Sequence, residues 1–124
     1  MIRGVVNSRC EAVVQLQLQG PSGTEVDVFA IVDAGFTASV ALPPATVSSL
    51  GLIRQSGGSA RLADGSVRQF EIYAANVEWD GHRRPVLVSA VGDEVLVGMQ
   101  LLRGYQLRVD VFPGGLVEIV SLRV

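Results

Sequence analysis

A run of apolar, strand-forming residues ends abruptly on a carboxylate and a glycine in the stretch FAIVDAGFT, residues 29–37. A strand that is apolar on both faces belongs inside a core, so Asp33 stands where the chain leaves that core. Gly35 then allows the backbone to turn sharply. Two interpretations fit this pattern. Asp33 is either an acid presented for chemistry at the rim of a core, or a turn residue that hydrogen-bonds the backbone two residues on.

Alternating residues upstream predict a hairpin that leads into this stretch. Val14, Leu16 and Leu18 alternate with three glutamines, which is the period-two pattern of a strand with one buried face and one wet face. The segment GPSG, residues 20–23, predicts a turn, and residues 26–32 predict the returning strand.

Proline and glycine place two short helices in the remainder of the chain. Pro44 can occupy the first turn of a helix that runs to Leu50, and Gly51 ends it. A second short helix is predicted for residues 99–103, and Gly104 ends that one.

Tight-turn signals separate a series of short strands. Two Asp-Gly pairs, at residues 64–65 and 80–81, have the composition that a hairpin turn with positive φ requires. Many short strands with only two helical turns predict an all-β sandwich or a small barrel. Further strands are predicted at residues 70–74, 76–79, 85–91, 95–97, 107–111 and 116–120, with turns at 93–94 and 113–115 and a loop or frayed strand start at 56–59.

Composition limits the size, compartment and partners of the protein. With 124 residues, 48% hydrophobic and 18% charged, the chain suits one core but not two, so we expect a single domain over residues 1–124. A net charge of −2, with no basic cluster beyond Arg83 and Arg84, argues against nucleic acid or a membrane as a partner. The single cysteine, Cys10, is expected to pack as a small apolar residue in a reducing compartment. We expect a cytoplasmic protein without a signal peptide, a metal or another cofactor.

Three segments follow one another in the order and spacing of a known family. They are VDAGFTASVALP (residues 32–43), LADGS (residues 62–66) and LVGMQLLRGY (residues 96–105). The first resembles the active-site segment of retropepsin-like aspartic proteases, in particular the small bacterial single-domain ones, which usually read Asp-Thr-Gly-Phe-Thr-Gly before an apolar pair and Pro. The second is similar to their flap hairpin. The third resembles their second signature, two apolar residues and a glycine that lead into the C-terminal helix.

The resemblance implies a fold, an assembly and a reaction. The fold is a small closed β-barrel of the retropepsin-like acid protease type, with one or two short helices, forming half of a two-fold symmetric homodimer. The reaction is hydrolysis of peptides or unfolded proteins by a pair of Asp33 carboxyls, one from each subunit. One carboxylate activates a water while the other, protonated, polarises the peptide carbonyl.

The resemblance also assigns the other residues of the site. Ala34, Gly35 and Thr37 belong to the active-site loop, and a flap closes over an extended peptide. The second-signature strand passes close to the carboxylates because Gly98 lacks a side chain. The flap comprises Leu62, Ala63, Asp64, Gly65 and Ser66, and the second-signature strand comprises Leu96, Val97 and Gly98.

One position departs from the family pattern and keeps other interpretations open. The residue after the catalytic Asp is Thr or Ser in the family, where its hydroxyl hydrogen-bonds across the dimer, and here it is Ala34. Losing that hydrogen bond costs on the order of 1 kcal/mol per site. An alternative is therefore a non-catalytic dimer of the same fold that binds peptides or partner proteins. A third possibility is an unrelated β-sandwich in which Asp33 is only a turn residue.

Overall fold

The computed structural model describes residues 1–61 and 63–122. These residues form ten strands and two short helices. The strands are β1 (Ile2–Val6), β2 (Ala12–Gln19), β3 (Glu25–Val32), β4 (Val40–Leu42), β5 (Ile53–Arg61), β6 (Val67–Trp79), β7 (His82–Ala90), β8 (Leu96–Val97), β9 (Tyr105–Val109) and β10 (Leu116–Ser121), and the helices are α1 (Pro44–Leu50) and α2 (Met99–Leu102).

Six of the strands close into a barrel. Around the ring the order is β6, β7, β4, β8, β3 and β2, and β2 pairs with β6 to complete it. At this closing seam Leu18 lies opposite Val77, and both side chains are fully buried. The predicted all-β fold, a small closed barrel with two short helices, is confirmed. Its closure excludes the open sandwich.

The alternating residues of β2 fill the barrel as predicted. Val14, Leu16 and Leu18 are at most 2% exposed. Trp79, the largest buried side chain, packs its ring edge-to-face against Tyr105, with ring centroids 5.7 Å apart. The period-two pattern thus accounts for the buried face of β2, and Leu50 of α1 and Leu101 of α2 complete the core from the helices.

Gln19 is an exception to the prediction that the glutamines of β2 face water. It is 2% exposed, at the seam where β2 meets β6. Its Oε1 accepts a hydrogen bond from Arg83 Nε at 2.9 Å, and its Nε2 donates to Gln17 Oε1 at 3.1 Å. These partners offset the cost of burying the amide.

Four strands extend the sheet beyond the ring, β5 next to β6 and the other three beyond β2. The strand β1 pairs with β2 on one side and β10 on the other, and β9 forms the outer edge. Val6, Val117 and Ile119 of this extension are buried in the common core. Sequence analysis predicted β9 and β10 but not β1, whose five residues carry no turn signal or clear alternation of their own.

Two local predictions are wrong. The Gly/Ser-rich residues 56–59 lie inside β5, because β6 supplies backbone partners along this length and Phe70 covers Gly58. Cys10 is exposed, in a turn with a φ of 59°, and does not pack in the core. The helix α1 does end as predicted, at Gly51 with a left-handed φ of 62°.

No helix in the described part of the chain combines the length and apolar character that crossing a bilayer requires.

Candidate active site

The candidate active site is organised around β8, which separates β3 from β4. The strand β8 runs parallel to β3, with Val97 opposite Val32, and antiparallel to β4, with Val97 opposite Val40. Consequently β3 and β4 do not pair with each other, although they are consecutive in the chain. The loop that joins them, residues 33–39, must pass around the end of β8, and Asp33 is its first residue.

Hydrogen bonds on both sides of Asp33 fix its position. Its backbone N–H donates to the Val97 carbonyl at 2.9 Å, and its carbonyl accepts from the Phe36 N–H at 3.1 Å. The carboxylate Oδ1 accepts from the Gly35 N–H at 2.9 Å. This last contact is the turn hydrogen bond that the sequence offered as an alternative to a functional role. The two roles coexist, because the turn orients a half-buried carboxylate that still has acceptor positions for another partner.

Gly98 brings β8 and the start of α2 into direct contact with the active-site loop. Its N–H donates to the Ser39 carbonyl at 2.9 Å, and the next N–H, of Met99, donates to the Phe36 carbonyl at 2.8 Å. A Cβ added to Gly98 would lie 2.0 Å from the Ala38 carbonyl oxygen. No side chain fits there, so this close contact requires glycine.

A groove of about 440 Å³ opens beside Asp33. Its apolar lining includes Ile31 on β3 and Leu96 on β8. Two carboxylates besides Asp33 also line it, Glu11 on the loop before β2 and Glu94 two residues before β8. The remaining lining residues are Cys10, Ala12, Val32, Ala34, Val109 and Val111. Among residues 1–61 and 63–122, no group of three or more His, Cys, Asp or Glu side chains is placed to hold a metal ion.

The predicted flap is the end of the hairpin formed by β5 and β6. Of its five predicted residues, Leu62 lies outside the described residues, and Ala63, Asp64, Gly65 and Ser66 are exposed. Asp64 Oδ1 accepts hydrogen bonds from the Ser66 hydroxyl at 2.6 Å and the Ser66 N–H at 2.9 Å. These two donors, the hydroxyl first, hold the pKa of the Asp64 carboxyl below its usual 3.8. Gly65 has a φ of 86°, which a tight turn needs and glycine tolerates.

A solved structure with the same architecture is that of the EIAV protease complexed with the inhibitor HBY-793. It superposes with a TM-score of 0.56 over 75% of this chain and 86% of the other, at 14% sequence identity. This chain has a retropepsin-like barrel. At that identity the likeness extends to the fold alone. No protein-family model and no curated protein matches the chain.

The retropepsin-like barrel brings some of the predicted site residues together. The loop carrying Asp33, Ala34, Gly35 and Thr37 lies against the strand and glycine at residues 96–98, while Ala34, Gly35 and Thr37 are themselves exposed. Within the residues described, no hydrogen bond joins the flap tip to this loop. The role of this hairpin as a flap stays a prediction.

Sequence analysis predicted Asp33, Ala34 and Leu96 as site residues but did not identify the rest of the groove's lining. Glu11 and Glu94 carry no motif, and the pair at residues 93–94 predicts only a turn. Val109 and Val111 come from the far end of the chain. The position of Glu94, two residues before the second-signature strand, is the one signal that points toward the site.

Gly98→Ala should destabilise the barrel by about 1–3 kcal/mol or more, because the clashing atom is a backbone carbonyl that cannot rotate away. Urea unfolding monitored by circular dichroism measures the loss. Gly57→Ala is the matched control, since a Cβ added there meets nothing closer than 3.8 Å. Equal unfolding midpoints for the two variants would contradict the contact described for Gly98.

Ser66→Ala should raise the pKa of Asp64 toward 3.8, because it removes the hydroxyl that contributes most to lowering that pKa. A lowered pKa in the folded state means that the turn is fully stabilised above about pH 3.8 and loses this support as the pH falls through the folded value. NMR titration of the Asp64 carboxyl measures the change. Ser59→Ala, at an exposed position on the same hairpin, should leave the titration as it is in the unmodified protein, and an unmoved Asp64 titration in Ser66→Ala would refute the assignment.

Proposed function

We propose that this protein is an aspartic endopeptidase that works as a homodimer, with one Asp33 from each subunit. One observation carries the proposal. Asp33 begins a loop that is clamped by β8 on a retropepsin-like barrel, and its carboxylate is oriented by a backbone N–H beside an open groove. The similar solved structure is described as a protease bound to an inhibitor, which supports the same class of reaction.

The chemistry requires two carboxyls in contact. Two carboxyl groups at hydrogen-bond distance do not both ionise readily, because the two negative charges would repel each other. One carboxyl therefore keeps its proton and the other loses it. The ionised member accepts a proton from the attacking water, and the protonated member polarises the peptide carbonyl. Asp33 is the one acid on the described loop between β3 and β4, so the proposal takes the second catalytic Asp from a symmetric copy.

The other predicted residues have supporting roles in this proposal. Gly98 allows the backbone after β8 to pack directly against the active-site loop, because it has no side chain. Gly35 supplies the N–H that orients the carboxylate. The hairpin that includes residues 62–66 would close over an extended peptide and bind its backbone. Ala34 and Thr37 would lie on the exposed side of the loop, toward the partner subunit.

Features of the sequence support a proposal about the domain, its substrates and its compartment. We propose that residues 1–124 form one domain of the small bacterial kind, acting on peptides or unfolded proteins in the cytoplasm. The single cysteine suits a reducing compartment, and the net charge of −2 gives no attraction to nucleic acid or anionic membranes.

Asp33→Asn should abolish cleavage of an unfolded protein such as reduced casein, because an amide cannot take the proton from water. The fold and the dimer should persist, as measured by circular dichroism and analytical ultracentrifugation. Asp27→Asn is the matched control, since Asp27 is an exposed residue of the same strand β3 and should leave cleavage intact. Cleavage that survives Asp33→Asn would disprove the role of this acid.

A second candidate function rests on Ala34. Without a hydroxyl at this position, the active-site loops of the two subunits lack a hydrogen bond worth on the order of 1 kcal/mol per site. The dimer would then bind peptides without cutting them. Ala34→Thr distinguishes the two functions. For a protease the change should raise the cleavage rate and tighten the dimer, whereas Ala60→Thr, at an exposed position on β5, should do neither. If the parent and Ala34→Thr both bind unfolded protein and neither cleaves it, the binding function is correct.

A further inference from the structure

We infer that the groove beside Asp33 selects peptides with a lysine or arginine next to the bond to be cut. The inference rests on the proposed function for the identity of the bond, but the preference for a cationic side chain follows from the groove itself. Its lining combines apolar side chains with the carboxylates Glu11 and Glu94, and it includes Asp33.

The apolar part of the lining suits a long side chain. It is made by Ile31, Val32, Leu96 and Val109, which are half-buried, and by the exposed Val111. A volume of about 440 Å³ exceeds what one side chain fills, so a long aliphatic chain can lie against these residues. Lysine and arginine do this with their methylene groups while the charged end stays in water.

Two glutamates of the lining supply the charge for that end. Glu94 is exposed, and Glu11 is half-buried, with its Oε1 accepting a hydrogen bond from Asn7 Nδ2 at 3.0 Å. The nearest cation to Glu11 is the exposed Arg9, whose Nε lies 3.9 Å from the same oxygen. That separation is too long for a good hydrogen bond, so Glu11 can also attract a cation from the substrate.

A neighbouring depression extends the acidic surface. It has a volume of about 490 Å³, shares Glu11, Ile31 and Glu94 with the first groove, and adds Asp93 and Arg9 to the lining. The charged lining of the two depressions is therefore four carboxylates, Asp33 included, and one guanidinium. A concave surface of one dominant sign attracts ligands of the opposite sign and repels the others. Acidic peptides should be the poorest substrates.

Cleavage specificity tests the inference first. The protein is first used to digest an unbiased peptide library, and mass spectrometry locates the cut bonds. The value of kcat/KM is then measured for matched peptides that carry lysine, norleucine or glutamate next to the cut bond. Norleucine has the same aliphatic length as lysine without the charge, so the pair isolates the electrostatic effect. We expect kcat/KM to be about three- to fivefold higher for lysine than for norleucine, the range of partly exposed ion pairs, and lowest for glutamate.

The double variant Glu11→Gln/Glu94→Gln should remove the preference for lysine and keep the cleavage of the norleucine peptide. Glu25→Gln is the matched control, because Glu25 is exposed at the start of β3, the end away from Asp33, and the preference should persist. Thermal unfolding of each variant verifies that the barrel is intact.

Binding separates this inference from the proposed function. The Asp33→Asn variant is titrated with the same fluorescent peptides, and fluorescence anisotropy gives Kd for each. If nothing is cleaved but the lysine peptide binds more tightly, and the double substitution in this background equalises the affinities, the proposed function fails and the inference holds. Equal affinities for lysine and norleucine peptides, or a preference that survives the double substitution, would overturn the inference whether or not cleavage occurs.

Discussion

The insertion of β8 between β3 and β4 is the constraint on which the rest of the structure depends. It prevents two consecutive strands from pairing and forces their connecting loop to pass around the end of a third strand. The loop gains its backbone partners from β8 and the start of α2, so Asp33 is held at a defined point although it lies outside regular structure. Gly98 makes this possible, because any side chain would strike the loop that it supports.

The same constraint bears on the proposed function. The clamped loop presents one carboxylate beside a groove lined by apolar side chains and by further carboxylates. Hydrolysis by paired acids needs a second carboxyl in contact with the first, and a two-fold axis is the simplest way to supply an identical one. In the proposed protease the groove would lie beside the reacting bond, where its charge would influence which peptides are cut.

Local features of the fold were predictable from the sequence, and pairings between distant segments were not. The alternation of Val14, Leu16 and Leu18 predicted the buried face of β2, and Pro44 with Gly51 predicted the limits of α1. The parallel pairing of β3 with β8 and the closing seam between β2 and β6 have no local signature, since each depends on partners far along the chain. Gln19 was misplaced for the same reason, because Arg83 and the seam make its burial possible.

The candidate site divides in the same way. Two short segments with a family resemblance pointed to Asp33 and Gly98, whereas Glu11 and Glu94 were associated with the groove only after the fold brought them together. The most direct test of the account is the separation of the two Asp33 carboxyls in a crystal structure of the protein at a concentration that favours association. The account predicts a symmetric dimer with these groups in hydrogen-bond contact, about 3 Å apart. A monomer, or a dimer with the two carboxyls out of contact, would contradict it.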